Sequence, residues 1–169
     1  MECNNPSKIG IKKMDKHPLR IALEKLDATL LEHSLSEDVV FWTPLLTSTV
    51  CGREFVKRIL LTAGAGFGPF QITGEFIDEG GRRMLTWDGA IDGHLMQTAL
   101  TIVDGPDGKV RELRGYFRPF PVVKPIYDYM YSNFSEEIPA PYWVLQESPP
   151  RSDRRFAMNR SASRPWPQR

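Results

Sequence analysis

The residue best suited to chemistry in this chain is Asp88, in the stretch Met84-Leu85-Thr86-Trp87-Asp88-Gly89-Ala90-Ile91. Strands avoid aspartate, yet the stretch lies between two turn signals and reads as a strand. A carboxyl held against Trp87 and other apolar walls disfavours its ionised form, which suits it to proton transfer near neutral pH. Thr86 and Ala90 share its side of the strand and are small enough to leave a cavity beside it. Gln97, one strand further on, is expected to face the same space with Ala99 and Thr101. Its amide there would orient a substrate carbonyl or hydrogen-bond to Asp88. Trp42 and Trp87 would shape the walls. Two readings of Asp88 stay open at this level: a proton-transferring group in a pocket, or a carboxylate on the outer face, in water or in a contact between subunits. Gln97 and Trp42 read equally as pocket residues or as ordinary core.

Other reactive groups are sparse. Cys3 and Cys51 are too few and too differently placed for a disulfide framework or a metal site, and His17, His33 and His94 make no ligand spacing. The chain carries a net +1, unevenly spread: residues 149–169 hold six Arg against the single Asp153, which leaves residues 1–148 net acidic. An acidic body lacks the basic face that nucleic-acid binding needs. The basic tail contains Pro and Ser and no apolar period, so it reads as disordered; it is a solvated terminus, or else a contact for anionic partners. The N-terminal stretch has no apolar core of a signal peptide, and no run approaches the roughly eighteen apolar residues of a membrane span. These features predict a soluble, cytoplasmic protein with reduced thiols.

The hydrophobic fraction of 41% is enough to bury a real core. Pro18 suits the first turn of a helix, and Leu19, Ala22, Leu23, Leu26 and Leu30 continue one face to about Ser34. Residues 36–44 read as a short strand stopped by Pro44. Gly52-Arg53-Glu54 opens a second helix, with Phe55, Val56, Ile59 and Leu60 on its apolar side, ending at Gly64-Ala65-Gly66. Strands follow over 70–78, 82–91, 94–104 and 109–120, separated by Glu79-Gly80-Gly81, the hairpin signal Asp92-Gly93 and Pro106-Asp107-Gly108. The aromatic segment 125–134 is expected to form a short helix, with Tyr127, Tyr129, Tyr131 and Phe134 capping a pocket or packing on the sheet edge. Helices first and an antiparallel meander after define an α+β class.

From His17 to Lys124 the order of "HPLRIALEKLD", "EDVVFWTP", "GREFV", "ITGEFID" and "DGKVRELRGYFRPF" resembles the SnoaL-like branch of the nuclear-transport-factor-2-like superfamily. The resemblance implies a cone: a curved antiparallel sheet wrapped around N-terminal helices, with an apolar pocket at its open end. It also implies work without a metal or organic cofactor. Compared with limonene epoxide hydrolases, a catalytic acid falls at Asp88, but the neighbouring Arg falls at Thr86 and the second acid at Gly115. Compared with ketosteroid isomerases, the general base falls at Thr43 and the protonated acid near Gln97 and Ala99. The usual acids are therefore moved or abandoned. Gly115 leaves room for ligand where relatives place an acid, Phe117 lies on its side of the strand, and Tyr116 and Arg118 leave by the other. Trp42 stands where relatives often place a polar pocket residue.

Because the fold hosts many activities, two functions are carried forward. One is an acid/base enzyme of secondary metabolism (cyclase, isomerase, dehydratase or other lyase, or epoxide-opening) acting on a hydrophobic oxygenated metabolite such as a polyketide or terpenoid. Asp88 and Gln97 would be catalytic, and Trp42, Trp87, Thr86, Ala99, Gly115 and Phe117 would bind substrate. The other is a non-catalytic binding or assembly module using the same pocket. The expected organisation is an arm over 1–16, the cone over 17–134, an extended segment packed on the body over 135–148, and the tail. A homodimer is expected through the convex sheet face, because Leu100, Ile102, Leu113 and the strand aromatics exceed the needs of one face.

Overall fold

In a computed structural model, residues 15–67, 70–91 and 93–145 are described; the N-terminal arm up to residue 14 and the basic tail lie outside them. Pro18–Lys25 forms α1, with Pro in the first turn and the His17 ring accepting the Leu19 N–H as a cap. The single helix expected to Ser34 is two. Leu26 takes a left-handed conformation (φ 49°) and ends α1, and the Asp27 carboxylate accepts the N–H groups of Thr29 and Leu30 to start α2, Ala28–Ser34. The break shifts the apolar face: α1 buries Leu19, Ala22 and Leu23, Leu26 is left exposed, and α2 buries Leu31 while Leu30 is only half-buried. The Leu26 side chain lies where a side chain at Gly64 would stand, so a glycine lets the break seat against α3.

Leu35–Trp42 forms β1 and Val50–Cys51 a short β2; Arg53–Gly66 forms α3, with Val56, Ile59 and Leu60 buried as their spacing predicts. Four long strands follow: β3 (Gln71–Ile77), β4 (Arg83–Ile91), β5 (His94–Asp104) and β6 (Val110–Arg118). Gly93 adopts φ 75° at the β4–β5 turn, a conformation open to glycine at little steric cost. Val123–Phe134 then forms α4. The six strands lie in the order β2-β1-β6-β5-β4-β3. The sheet is mixed, which corrects the all-antiparallel expectation: β1 runs parallel to β6, with Phe41 beside Leu113 and Trp42 beside Arg114. The class is α+β, with helices covering one face of the sheet.

That covered face holds the core. Leu85, Met96, Leu100, Ile102 and Leu113 are at most 2% exposed and point to the helices. Leu100, Ile102 and Leu113 are thus spent on the interior and supply no surplus for the outer face. At one end of the core a polar cluster ties α1 to the sheet. The Glu75 carboxylate accepts from the His17 backbone N–H and from the guanidinium groups of Arg20 and Arg83, while His17 Nε2 meets Asp104.

After α4 the chain returns across the body. Trp143 is 2% exposed, donates its indole N–H to the Ile138 carbonyl at 3.0 Å, and meets Tyr127 and Tyr131 edge-on. The Val144 N–H bonds to the Leu45 carbonyl, and the Thr47 N–H to that of Tyr142. Tyr127 and Phe134 are buried, so they pack the helix down instead of capping an opening.

Candidate functional site: an apolar cavity between the sheet and the helices

Four strands build one side of a cavity of about 90 Å³. Ile72, Trp87, Thr98 and Phe117 are successive cross-strand partners on β3, β4, β5 and β6, so they make one row on the inner face. Leu100 and its partner Gly115 make the adjoining row. A Cβ at Gly115 would stand 3.5 Å from the Phe41 ring, an ordinary contact, so the missing side chain is cavity space. α3 contributes Ile59, Leu60 and Ala63, and α4 contributes Ile126 and Met130. Phe67 and Phe70 come from the segment linking α3 to β3, and Phe70 leans on Trp87 with ring centroids 6.2 Å apart.

Two side-chain hydroxyls interrupt this apolar lining, and no titratable group does so among the described residues. Thr43 Oγ1 accepts the Leu45 N–H at 3.4 Å. Thr98 Oγ1 is buried and has no hydrogen-bond partner. Such a site can hold and orient a neutral molecule; its side chains offer no general acid or base.

Of the residues expected to bind substrate, Trp87, Gly115 and Phe117 line the cavity. Trp42, Thr86 and Ala99 do not, and neither do Asp88 and Gln97, which were expected to be catalytic. All five lie on the outer face, and the physical reason is the strand period of two. With Trp87 turned inward, Thr86 and Asp88 must turn out; with Thr98 turned inward, so must Gln97 and Ala99. Asp88 and Gln97 do meet, as direct cross-strand partners in an outer row running Gln71, Asp88, Gln97, Arg118. Trp42 is 49% exposed and takes the Arg114 guanidinium over its ring at 5.6 Å. His94 is exposed.

Thr98 was missed. Alternation along β5 marks it, because Met96, Thr98, Leu100 and Ile102 form one series; the expected inward set of Gln97, Ala99 and Thr101 is the one that faces out. Among the described residues no three His, Cys, Asp or Glu side chains stand together so as to hold a metal ion, and no helix is long and apolar enough to cross a membrane.

No protein-family model and no curated protein matches the sequence. Solved structures do match. A protein with a cystatin-like fold from Silicibacter pomeroyi superposes with a TM-score of 0.65 at 23% identity, covering 69% of this chain and 82% of that one. A steroid delta-isomerase from Pseudomonas aeruginosa superposes with 0.66 at 18%, covering 73% and 96%. An NTF2-like protein from Burkholderia xenovorans gives 0.51 at 15%, covering 64% and 90%. At these identities the likeness is one of fold: the chain has the curved-sheet architecture of the nuclear-transport-factor-2-like proteins.

Proposed function

We propose that this protein binds a small, neutral, hydrophobic molecule in the cavity between its sheet and helices. The observation that carries this is the lining: aromatic and aliphatic side chains from every layer of the fold, two hydroxyls, and no titratable group among the described residues. A charged occupant would lose its hydration with nothing to offset the loss. The same lining argues against acid/base catalysis inside the cavity, because Asp88 and Gln97 lie beyond the sheet. Turnover of a polyketide or terpenoid would need a proton carrier that the cavity's described side chains lack.

The test is an NMR titration with small neutral probes, following the Trp87 indole N–H and the methyl groups of Ile59, Ile72 and Ile126. The cavity reading expects shifts confined to these groups, loss of binding when Gly115→Leu fills the space, and a rise in melting temperature with probe concentration. Shifts scattered over the surface and indifferent to Gly115→Leu would refute it.

A second reading concerns the outer face, where Trp42, Phe76, Tyr116 and Leu95 are 49%, 53%, 52% and 81% exposed. These apolar groups, with Asp88 and Arg118 in one row among them, favour a second copy of the chain as their cover. Sedimentation equilibrium expects a dimer that Tyr116→Glu dissociates; a monomer at micromolar concentration would remove this reading.

A further inference from the structure

The Thr98 hydroxyl is out of keeping with its surroundings. It stands between its two cross-strand partners, Trp87 and Phe117, in the inner row of the sheet. Thr98 is 9% exposed, it lines the cavity, and its Oγ1 has no hydrogen-bond partner. A buried hydroxyl left unsatisfied is destabilising, and native structures nearly always pair such groups. The backbone cannot relieve it, because strands β4 and β6 flank β5 and take up the ladder groups. The other hydroxyl of the lining, on Thr43, already accepts the Leu45 N–H. Among the described residues, Thr98 Oγ1 is thus a buried, unpaired polar atom on a residue of a lining made chiefly of hydrocarbon.

We propose that Thr98 is the polar anchor of the cavity and that the occupant is an uncharged, compact hydrocarbon skeleton bearing one oxygen, as a ketone, aldehyde, ether or alcohol. This rests on the binding reading above and specifies the ligand class within it. The hydroxyl donates to the ligand oxygen, and Trp87 and Phe117 enclose the carbon skeleton on either side. One anchoring oxygen fits one free hydroxyl; a second polar group on the ligand would be buried without a partner, except near Thr43. The occupant must also be small, since an engineered apolar cavity of about 150 Å³ takes benzene and this one measures about 90 Å³.

The probes are cyclopentanone and methylenecyclopentane, which share a shape and differ in C=O against C=CH2. Each is titrated by NMR into the full chain, into Thr98→Val, which removes the hydroxyl and keeps the branching, and into Thr98→Ser, which keeps the hydroxyl. The expected result is that Thr98→Val weakens cyclopentanone about fivefold, the size of one net hydrogen bond, and leaves methylenecyclopentane unchanged or tighter. Thr98→Ser should retain the preference for the ketone. Thr98→Val should melt at or above the wild-type temperature, because it removes an unsatisfied group, so a folding defect is distinguishable from a lost anchor. Equal effects of Thr98→Val on both probes would overturn the anchor while leaving cavity binding intact. Failure of both probes to bind the wild-type cavity would overturn the binding reading, and the anchor with it.

Discussion

His17 and Asp104 are joined at the polar end of the core: Nε2 of the imidazole lies 3.2 Å from both carboxylate oxygens of Asp104. Nδ1 of the same ring accepts the Leu19 N–H, which places the ring proton on Nε2 and makes the neutral imidazole the form that caps α1. Burial is the largest influence on this ring and lowers its pKa below 6.5, outweighing the attraction of Asp104. Arg83 adds to the lowering, and Glu75 opposes it. The unfolded chain therefore takes up a proton at His17 at a higher pH than the folded one. Stability is full above pH 6.5 and falls as the solution is acidified below it.

Thermal midpoints measured between pH 5 and pH 8 should decline on the acid side in the wild type. His17→Asn, which keeps a capping acceptor and cannot titrate, should flatten that decline. Carboxylates paired with cations, such as Glu24 with Lys16 and Arg20, or Glu137 with Arg58, have pKa values held below 4.5, so their effect is lost only in more acid solution. An unchanged slope in His17→Asn would assign the pH dependence to other groups.

Gly115 is cavity space, not a backbone requirement. Gly115→Ala should fold with the stability of the wild type or slightly more, since the new methyl meets the Phe41 ring at 3.5 Å. The same methyl narrows the cavity, so small probes should bind more weakly. Equilibrium unfolding and probe titration on this one variant separate the two effects.

Trp143 pins the returning segment against the Leu45 backbone and thereby helps to position a residue of the cavity wall. Trp143→Ala should cost about 3–5 kcal/mol, the usual range for a large buried aromatic, measured by urea unfolding. Trp143→Phe should cost less, although it leaves the Ile138 carbonyl without its 3.0 Å donor. Both variants should weaken probe binding; full binding by Trp143→Ala would show that the wall holds its shape unaided.

Asp88 is exposed on the outer face. Asp88→Asn should leave stability within about 0.5 kcal/mol, as for surface substitutions away from special features. Cavity binding should be unchanged. A loss of affinity in this variant would mean that the outer row communicates with the cavity through Trp87 or Thr98.

Much of the architecture was legible because it is written in short-range pattern. The strand over 94–104 matches β5 residue for residue, and the helix opening at Gly52-Arg53 runs through Gly66 as its apolar spacing and glycines indicate. The break at Leu26 and Asp27 was hidden because Leu19, Leu23, Leu26 and Leu30 keep helical spacing straight through it. Its local signal was Asp27, a good N-cap residue. The parallel pairing of β1 with β6 has no local signal at all. It joins residues far apart in sequence: α3 leads from β1 and β2 to β3 at the opposite edge of the sheet, and the meander then ends with β6 beside β1.

For the site, the sequence alone determined which residues travel together along each strand. Side chains alternate with period two, so Thr86 with Asp88, Gln97 with Ala99, and Gly115 with Phe117 were bound to share a face whatever the fold. Only the tertiary structure decided how these sets combine and which face the helices cover. In the β5–β6 register Thr98 stands opposite Phe117 and Leu100 opposite Gly115, which groups the Gly115 set with Thr98 and separates it from Gln97. In the β4–β5 register Trp87 joins the same side. Cross-strand register is set by contacts between distant segments, and a slip of one residue exchanges the two faces of a strand. That single physical fact turned the expected acid outward and an unremarked threonine into the cavity.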